Sequence, residues 1–197
     1  MTLEQAITEF YTKTKVEKLA TSTRRLRALA EWCVEELEKR GLPGAVTETS
    51  LPGCGRSKQW DVAWVLNNKP RLAISLKSLL ENLSGCVPNR IDDLIGECAN
   101  AQMILPELAV GYICVFDTAR DTFSSKHGMT WLQVFEKSLR SLDGRTAPFW
   151  TPGTIESFLM LAVDFSSDAK LLTPYEETNR FFDTLVQQVR MRNPDIG

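Results

Sequence analysis

The stretch KQWDVAWVLNNKPRLAISLKS, residues 58–78, decides the fold of this chain. Two apolar runs with a period of two, residues 60–66 and 71–77, flank Asn67-Asn68-Lys69-Pro70, a sequence typical of a turn. Alternate residues of a strand point to opposite faces. In the second run Leu72, Ile74 and Leu76 share one face, and Ala73, Ser75 and Lys77 share the other. The stretch therefore predicts a β-hairpin.

Upstream of the hairpin the pattern is mostly helical. Residues 21–41 have apolar side chains at helical spacing and end at a glycine, Gly41, so they predict a long helix. Its candidate N-caps are Thr21, Ser22 and Thr23, and its apolar positions are Leu26, Leu29, Cys33 and Leu37. Residues 3–19 predict a shorter helix before it, and residues 45–50 predict a strand after it.

Downstream of the hairpin, helices and buried strands alternate. We predict a helix over residues 89–105, a strand over 110–116, a helix over 131–142 and a strand over 158–165. Thr173-Pro174-Tyr175-Glu176 has the pattern of a capping box with proline at the first helical position, which predicts a last helix. This order predicts one α/β domain over residues 1–197, a mixed sheet flanked by helices on both faces.

The composition excludes several classes of protein. With 43% hydrophobic and 24% charged residues, the chain has the mixture of a globular protein. We expect no membrane span, because no apolar run approaches ~20 residues, and no secretory signal, because MTLEQAITEF is polar. The cysteines are odd in number and lack a C-x-x-C pair, which predicts buried thiols in a reducing cytoplasm. They are Cys33, Cys54, Cys86, Cys98 and Cys114.

The net charge of −2 argues against tight, non-specific coating of nucleic acid. It does not exclude a local basic surface, since an acidic cluster elsewhere can offset one. The sequence has no phosphate-binding G-x-x-x-x-G-K-[ST] and no G-x-G-x-x-G after a strand, so we expect no nucleotide cofactor. It also lacks the G-x-S-x-G elbow of a serine hydrolase, and the one histidine, His127, is predicted to be exposed or at most a DNA contact.

Two charged residues, Asp61 and Lys77, stand within the apolar runs of the hairpin. A buried charge is costly unless it is paired or bound to a metal. The pair suits phosphodiester hydrolysis, because a carboxylate can hold Mg²⁺, which lowers the pKa of a bound water, and a lysine can assist that water or stabilise charge on the phosphate. The alternative is a simple Asp61–Lys77 ion pair at the edge of the sheet.

Three blocks of sequence resemble the XhoI-type restriction endonucleases of the PD-(D/E)xK superfamily. The blocks are residues 58–62, 73–78 and 89–96. They are similar to the patterns K-x-W-D-(hydrophobic), A-I-E-F-K-S and N-R-x-E-E-x-I-G, in that order. The resemblance implies Asp61 as the metal-binding aspartate and Lys77 as the catalytic lysine. It also implies a mixed sheet flanked by helices.

The same resemblance implies a cofactor and partners. The cofactor would be Mg²⁺, with Mn²⁺ as a substitute, and the partner would be double-stranded DNA, bound by a homodimer at a palindromic site. Lys58, Asn89 and Arg90 would contact DNA, the last two from a loop-to-helix junction near the active site. From the basic residues of the loops 117–130 and 143–157 we add Lys126 and Arg145 as DNA contacts, with Arg120 and Arg140 beside them, although ordinary surface is the alternative for each.

One departure from the family pattern concerns the second acid, because Ser75 stands where the family has it. A carboxylate from elsewhere would then complete the metal site, and we choose Glu48 and Asp92. The other candidates are Asp93, Glu97, Glu31 and Glu35. Each has a plainer interpretation: Asp92 or Asp93 could stabilise the first turn of a helix capped by Asn89, and Glu31 and Glu35 could be solvated.

Three functions remain open from the sequence. The leading hypothesis is a cytoplasmic, Mg²⁺-dependent endonuclease that cleaves duplex DNA at a specific sequence, as a type II restriction endonuclease does. The alternative is a non-catalytic DNA-binding or assembly protein that keeps the fold with a decayed site, for which Ser75 is the motive. The third is a nuclease that acts on RNA or has no fixed recognition sequence.

Overall fold

The computed structural model describes residues 1–18 and 23–194, and its centre is a mixed β-sheet. The strands are β1 (Val46–Leu51), β2 (Lys58–Leu66), β3 (Lys69–Leu79), β4 (Ala109–Asp117), β5 (Phe123–Ser124), β6 (Met129–Thr130), β7 (Ser157–Asp164) and β8 (Lys170–Leu171). Six form one sheet in the order β1-β2-β3-β4-β7-β8, and β5 and β6 form a separate ribbon. The pairs β3–β4 and β4–β7 are parallel, and the other pairs are antiparallel.

Helices cover both faces of this sheet, which confirms the predicted α/β fold. They are α1 (Leu3–Tyr11), which continues as a π-helix (Thr12–Val16), α2 (Arg27–Lys39), which follows a 3-10 turn (Thr23–Leu26), α3 (Leu83–Gln102), α4 (Trp131–Leu142) and α5 (Tyr175–Arg192). Apolar residues of α1, α2 and α5 pack in one core, and those of α3 and α4 pack in another. The sheet therefore separates two hydrophobic cores.

The predicted hairpin is present as β2 and β3. Asn67 and Asn68 have φ values of 50° and 59°, and Leu66 pairs with Lys69, so the turn has two residues, both left-handed. Such a turn matches the twist of a hairpin, and asparagine tolerates the left-handed region better than most residues. Strand β3 continues past the predicted end at residue 77, as far as Leu79.

The faces of the hairpin and the central strand follow the sequence pattern. Leu72, Ile74 and Leu76 are buried against α1, α2 and α5, whereas Ala73 belongs to the core under α3 and α4. All nine residues of β4 are buried. Its Gly111 allows α5 to approach closely, because a Cβ there would lie 2.7 Å from Leu185 Cδ1.

The predicted start of α3 at Asn89 is wrong. The helix begins at Leu83, after Asn82 in the left-handed conformation, and Pro88 lies inside it. A proline within a helix normally marks a boundary, because it lacks the N–H that bonds to the carbonyl four residues earlier. Here the helix continues through it, so Asn89 is not an N-cap and Asp92 is not in the first turn.

The capping box predicted at Thr173 is also wrong. The Thr173 hydroxyl donates to Met160 O and accepts from Ala162 N, both at 2.8 Å, so it ties the chain to β7. The residue before α5 is Pro174, and no side chain caps that helix. At α2, the predicted caps Thr21 and Ser22 lie outside the described residues, and the helix begins after Leu26 without a side-chain cap.

Two other expectations concern single residues and membrane contact. Cys33, Cys98 and Cys114 are buried as predicted, but Cys54 is exposed, in the loop between β1 and β2, and Cys86 is half-buried. His127 is exposed, which confirms the expectation for it. In the part of the chain that the structure describes, no helix is long and apolar enough to cross a bilayer.

Candidate active site

The two charged residues of the hairpin lie near the point where β2 and β3 separate. Backbone pairing between the two strands ends at Val62 and Ile74. Beyond this point the Asp61 carboxylate accepts the Leu76 N–H at 2.7 Å. A side chain of β2 thus bonds to the backbone of β3, one residue before Lys77. The local end of the strand pairing therefore places Asp61 beside the lysine.

The charge of Asp61 is incompletely balanced by the protein. Burial raises the pKa of its carboxyl group, while the Leu76 N–H and the charges of Lys77 and Lys58 lower it. Burial is the largest of these effects, so the net shift is upward. An added positive charge near Asp61 would stabilise its ionised form.

Glu97 on α3 lies between the two lysines of the site. It forms an ion pair with Lys58, and its Oε2 lies 3.8 Å from Lys77 Nζ. The Lys58 ammonium is also 5.2 Å from the centre of the Trp60 ring. Burial and the charge of Lys77 lower the pKa of Lys58 to about 8, although the Glu97 carboxylate pairs with it. The Glu97 carboxylate thus contacts two ammonium groups on one side of the point where β2 and β3 separate.

Three polar atoms in the α3 core have no hydrogen-bond partner among the described residues. They are Ser75 Oγ, Tyr112 OH and Trp60 Nε1. Ser75 and Tyr112 are paired residues of the parallel strands β3 and β4, so their side chains lie on the same face of the sheet. A buried polar group without a partner costs roughly 1–3 kcal/mol. Ser75 has such a cost two positions before Lys77.

The two acids chosen for the metal site lie in different places. Glu48 and Asp61 line one cavity of about 830 Å³, between the sheet and the helices α1 and α2. Asp92 is exposed on α3 and lines a separate cavity of about 490 Å³ with Lys58 and Glu97. The structure therefore brings Glu48, but not Asp92, to the cavity of Asp61.

Glu48 has an unusual backbone conformation inside β1. Its φ is 52°, in the left-handed region, which costs a residue with a Cβ roughly 1–2 kcal/mol. The pairs Thr47–Val62 and Thr49–Trp60 flank it, so it stands opposite Asp61 in the register. Strained positions of this kind are concentrated at functional sites.

The remaining acid candidates are engaged elsewhere. Glu31 also lines the cavity of Asp61, but its carboxylate accepts from Arg27 at 2.8 Å. Asp93 pairs with Arg90 at 3.1 Å, and Glu35 pairs with the N-terminal ammonium. Of the whole candidate set, Glu48 has the position best suited to assist Asp61.

The donor set near Asp61 fits a single magnesium ion. Among residues 1–18 and 23–194 no group of three or more histidine, cysteine or acidic side chains is arranged to hold a metal. Mg²⁺, however, commonly uses only one or two carboxylates and takes its other ligands from water and substrate phosphates. Asp61 and Glu48, which line the same cavity, would supply those carboxylates.

The predicted DNA contacts also separate into groups. Asn89 is exposed and Arg90 half-buried, both inside α3, and Lys126 is exposed at the tip of the β5–β6 ribbon. Arg145 is a correction, because its side chain is buried. It donates to Glu156, at 2.9 Å, and to four backbone carbonyl groups, so no donor is left for DNA.

Sequence reasoning missed Arg25 and gave Glu97 too little weight. Arg25 is half-buried and donates to Ser78 Oγ at 2.7 Å, at the end of β3. Burial and the nearby charge of Arg90 lower its pKa. No pattern in the sequence singled out Arg25. For Glu97 the signal was its position on the same helix as Asp92 and Asp93, which did not say which of the three acids faces the lysines.

The arrangement joins a half-buried carboxylate with the nearby charges of Lys77 and Lys58. It can hold a divalent cation at Asp61, and it can bind a phosphate group at Lys77, with Arg25 nearby at the end of the same strand. These are the requirements for hydrolysis of a phosphodiester. Comparison of the chain with protein-family models, with curated proteins and with solved structures finds no match.

Proposed function

We propose that this protein is a cytoplasmic, Mg²⁺-dependent endonuclease that cleaves double-stranded DNA, in the manner of a type II restriction endonuclease and as a homodimer. The observation that carries the proposal is the opening between β2 and β3, where Asp61 bonds to the backbone next to Lys77. Two of the three sequence blocks that resemble XhoI-type enzymes, residues 58–62 and 73–78, contribute residues to this same opening. The charge of Lys77 shifts the pKa of both Lys58 and Asp61 there, and Lys58 and Asp61 shift the pKa of each other.

In this proposal each residue has a distinct task. Asp61, fixed by the Leu76 N–H, and Glu48 hold the cation, which polarises a phosphate oxygen and promotes ionisation of water. Lys77 contacts the phosphate and stabilises the negative charge that develops on it. Glu97 keeps the Lys77 and Lys58 ammonium groups oriented, because it contacts both. The hydrophobic cores on the two sides keep the carboxylate partly shielded from bulk water.

Cleavage of plasmid and phage DNA with Mg²⁺ tests this proposal. The Asp61→Ala and Lys77→Ala variants are compared with two matched variants, Asp183→Ala and Lys69→Ala, whose side chains are exposed far from the opening. We expect cleavage by the wild type and both matched variants. Loss of Lys77 should slow cleavage by about 10²–10⁴-fold, as for other groups that act in proton transfer or charge stabilisation.

Discrete fragments from the wild type would support a sequence-specific enzyme, and a smear would support a nuclease without a fixed site. Intact DNA with all five proteins, together with no binding of Mg²⁺ or Mn²⁺ in calorimetry, would contradict the proposal. Equal activity of the Asp61→Ala variant and the wild type would contradict the assignment of the site.

A second candidate function is a DNA-binding or assembly protein with a decayed site. Ser75 favours it, because the residue at the family's acidic position is buried and its hydroxyl has no partner. The Ser75→Glu variant separates the two, with Ser75→Ala as its control. A gain of metal affinity and cleavage in Ser75→Glu alone would indicate decay, whereas loss of an existing activity would indicate that Glu48 already serves as the second acid.

A further inference from the structure

The β5–β6 ribbon stands at the same edge of the sheet as the candidate active site. Strand β4 ends at Asp117, and a 3-10 turn (Thr118–Arg120) leads from it to the ribbon. Because β3 and β4 are parallel, with Lys77 paired to Cys114, their carboxyl ends meet at one edge. A cavity of about 520 Å³ lies between the base of the ribbon and the residues just after β3.

The ribbon is held firmly although it is short. Ser124 is buried, and its carbonyl accepts the N–H groups of His127 at 3.1 Å and Gly128 at 2.9 Å. The Trp131 N–H bonds to Thr122 O at 3.1 Å, and the Trp131 ring lies 5.5 Å from the imidazole of His127. The base and the turn of the ribbon therefore have defined conformations.

Phe123 on the ribbon, Lys126 at its tip and Arg120 on the turn before it are exposed, and their side chains form no hydrogen bond or ion pair within the described residues. Phe123 is 65% exposed, although it lies on a hydrogen-bonded strand. Arg120 and Lys126 are exposed and form no ion pair in residues 1–18 and 23–194. Phe123 stands between Arg120 and Lys126 in the sequence, so one short segment combines an exposed apolar ring with two exposed cations.

Duplex DNA has the chemistry that matches this combination. Cations bind the phosphates on the rim of a groove. A two-stranded ribbon is narrow enough to enter the major groove, and an apolar side chain can insert against a base step. The ribbon also lies beside the residues that would cleave the backbone, so one duplex could contact both.

We propose that the ribbon of residues 121–130 is a DNA-groove contact, in which Phe123 packs against a base step and Arg120 and Lys126 bind the flanking phosphates. This rests on the proposed nuclease function and deepens it, since it names the element that selects where the duplex is cut. The partner is double-stranded DNA rather than a second copy of the chain, because two exposed cations, Arg120 and Lys126, belong to the same short segment as the ring.

Fluorescence anisotropy with a labelled duplex in EDTA tests the inference without cleavage. Phe123→Ala is compared with Phe149→Ala, an even better exposed phenylalanine (84%) in the loop that leads to the opposite end of the sheet. We expect Phe123→Ala to bind about 10-fold more weakly, as for the loss of one aromatic contact with a base. Phe149→Ala should bind as the wild type does, and both variants should keep the wild-type melting temperature.

The lysine gives a second readout. Lys126→Gln should weaken binding and reduce the slope of log K against log salt by about one, while Lys69→Gln leaves both unchanged. Equal affinity of Phe123→Ala and the wild type would overturn the inference, as would a wild type that binds no duplex. The inference would also be overturned if Phe123→Ala changed the molecular mass measured by sedimentation but left the DNA affinity unchanged. The ring would then belong to a protein interface.

The binding experiment and the cleavage assay test different claims, so one claim can be contradicted while the other is supported. A wild type that binds DNA through Phe123 but does not cut it with Mg²⁺ would support the ribbon contact and contradict the nuclease. If Phe123→Ala cuts DNA as efficiently as the wild type and yields the same fragments, the result would support the nuclease and contradict the ribbon contact.

Discussion

The two ends of the parallel strands differ in how completely their buried charged and polar groups are paired. At the amino end, Glu156 just before β7 accepts from Arg145 at 2.9 Å, from Arg192 at 2.7 Å and from the Val110 N–H at 2.5 Å. All three charged side chains are almost completely buried. At the carboxyl end, the Glu97 contacts are half-exposed, and Ser75 and Tyr112 have hydroxyl groups without partners.

The difference separates buried polar groups that stabilise the fold from polar groups that are able to bind a ligand. A buried network of this kind fixes the chain that surrounds it, and here it joins the loop after α4, the start of β4 and the end of α5, although Arg192 Nε has no hydrogen-bond partner among the described residues. A group of charges with unmet hydrogen-bonding capacity costs stability instead. That capacity is available to a ligand. The contrast supports the proposed binding site at Asp61 and Lys77.

The largest effect on stability is expected at the amino end. Glu156→Gln leaves the guanidinium groups of Arg145 and Arg192 without a counter-charge in a buried position. Breaking a buried pair from one side typically costs about 3–5 kcal/mol of unfolding free energy. Urea denaturation measures it, and an unfolding free energy within about 1 kcal/mol of the wild type would contradict the structural role of the network.

Removing a polar group at the carboxyl end should have the opposite sign. Tyr112→Phe deletes a buried hydroxyl that has no partner, so we expect stabilisation by about 1–2 kcal/mol in the same assay. Thr173→Val is the matched control, because its hydroxyl makes two hydrogen bonds and its loss should destabilise. If Tyr112→Phe were destabilising too, the hydroxyl would have a partner, and the contrast between the two ends would weaken.

The third prediction concerns pH and Asp61. Because burial raises the pKa of Asp61, the folded protein retains this proton more readily than the unfolded chain does. Stability from this group is present at low pH and is lost as pH rises through the folded-state pKa. Asp61→Asn should therefore be more stable than the wild type at pH 7, with a gap that closes on acidification. Thermal melts at several pH values would show no such closure if the charge were fully balanced.

The smallest effect is expected on the surface. Glu136→Gln breaks an exposed ion pair with Arg140 on α4, and such pairs contribute roughly 0.3–0.5 kcal/mol. The substitution is chemically identical to Glu156→Gln, so the two together measure how much burial alone changes the result. A loss comparable to that of Glu156→Gln would show that burial is not what distinguishes the amino-end network.

The sequence predicted the elements of the sheet well because their periodicity depends on burial. The alternation in residues 71–77 and the apolar run of β4 follow directly from which faces are covered. Helix α4 has the predicted bounds. The errors occur where tertiary contacts override local rules. Pro88 is tolerated within α3, and Thr173 bonds to β7 instead of capping α5.

The candidate site was predictable only in part, for a related reason. Asp61 and Lys77 were visible as charges in apolar strands, and a hairpin brings them together. Whether Glu48, Asp92 or Glu97 accompanies them depends on how α3 crosses the sheet and on one left-handed residue in β1, which the sequence pattern does not encode. Arg145 shows the converse, since an arginine in a long loop is buried by partners just before β7 and on the segment before β4.

The turn at Asn67 and Asn68 has a consequence for the order of folding. Asp61 and Lys77 are only sixteen positions apart along the chain, and this turn closes the hairpin that holds both. An isolated hairpin closes within about 1–10 μs, whereas the parallel pairing of β3 with β4 must first bring together segments separated by an entire helix. Asp61 and Lys77 can thus adopt their relative positions before the sheet is complete. The rest of the molecule then assembles around a hairpin that its local sequence has already formed.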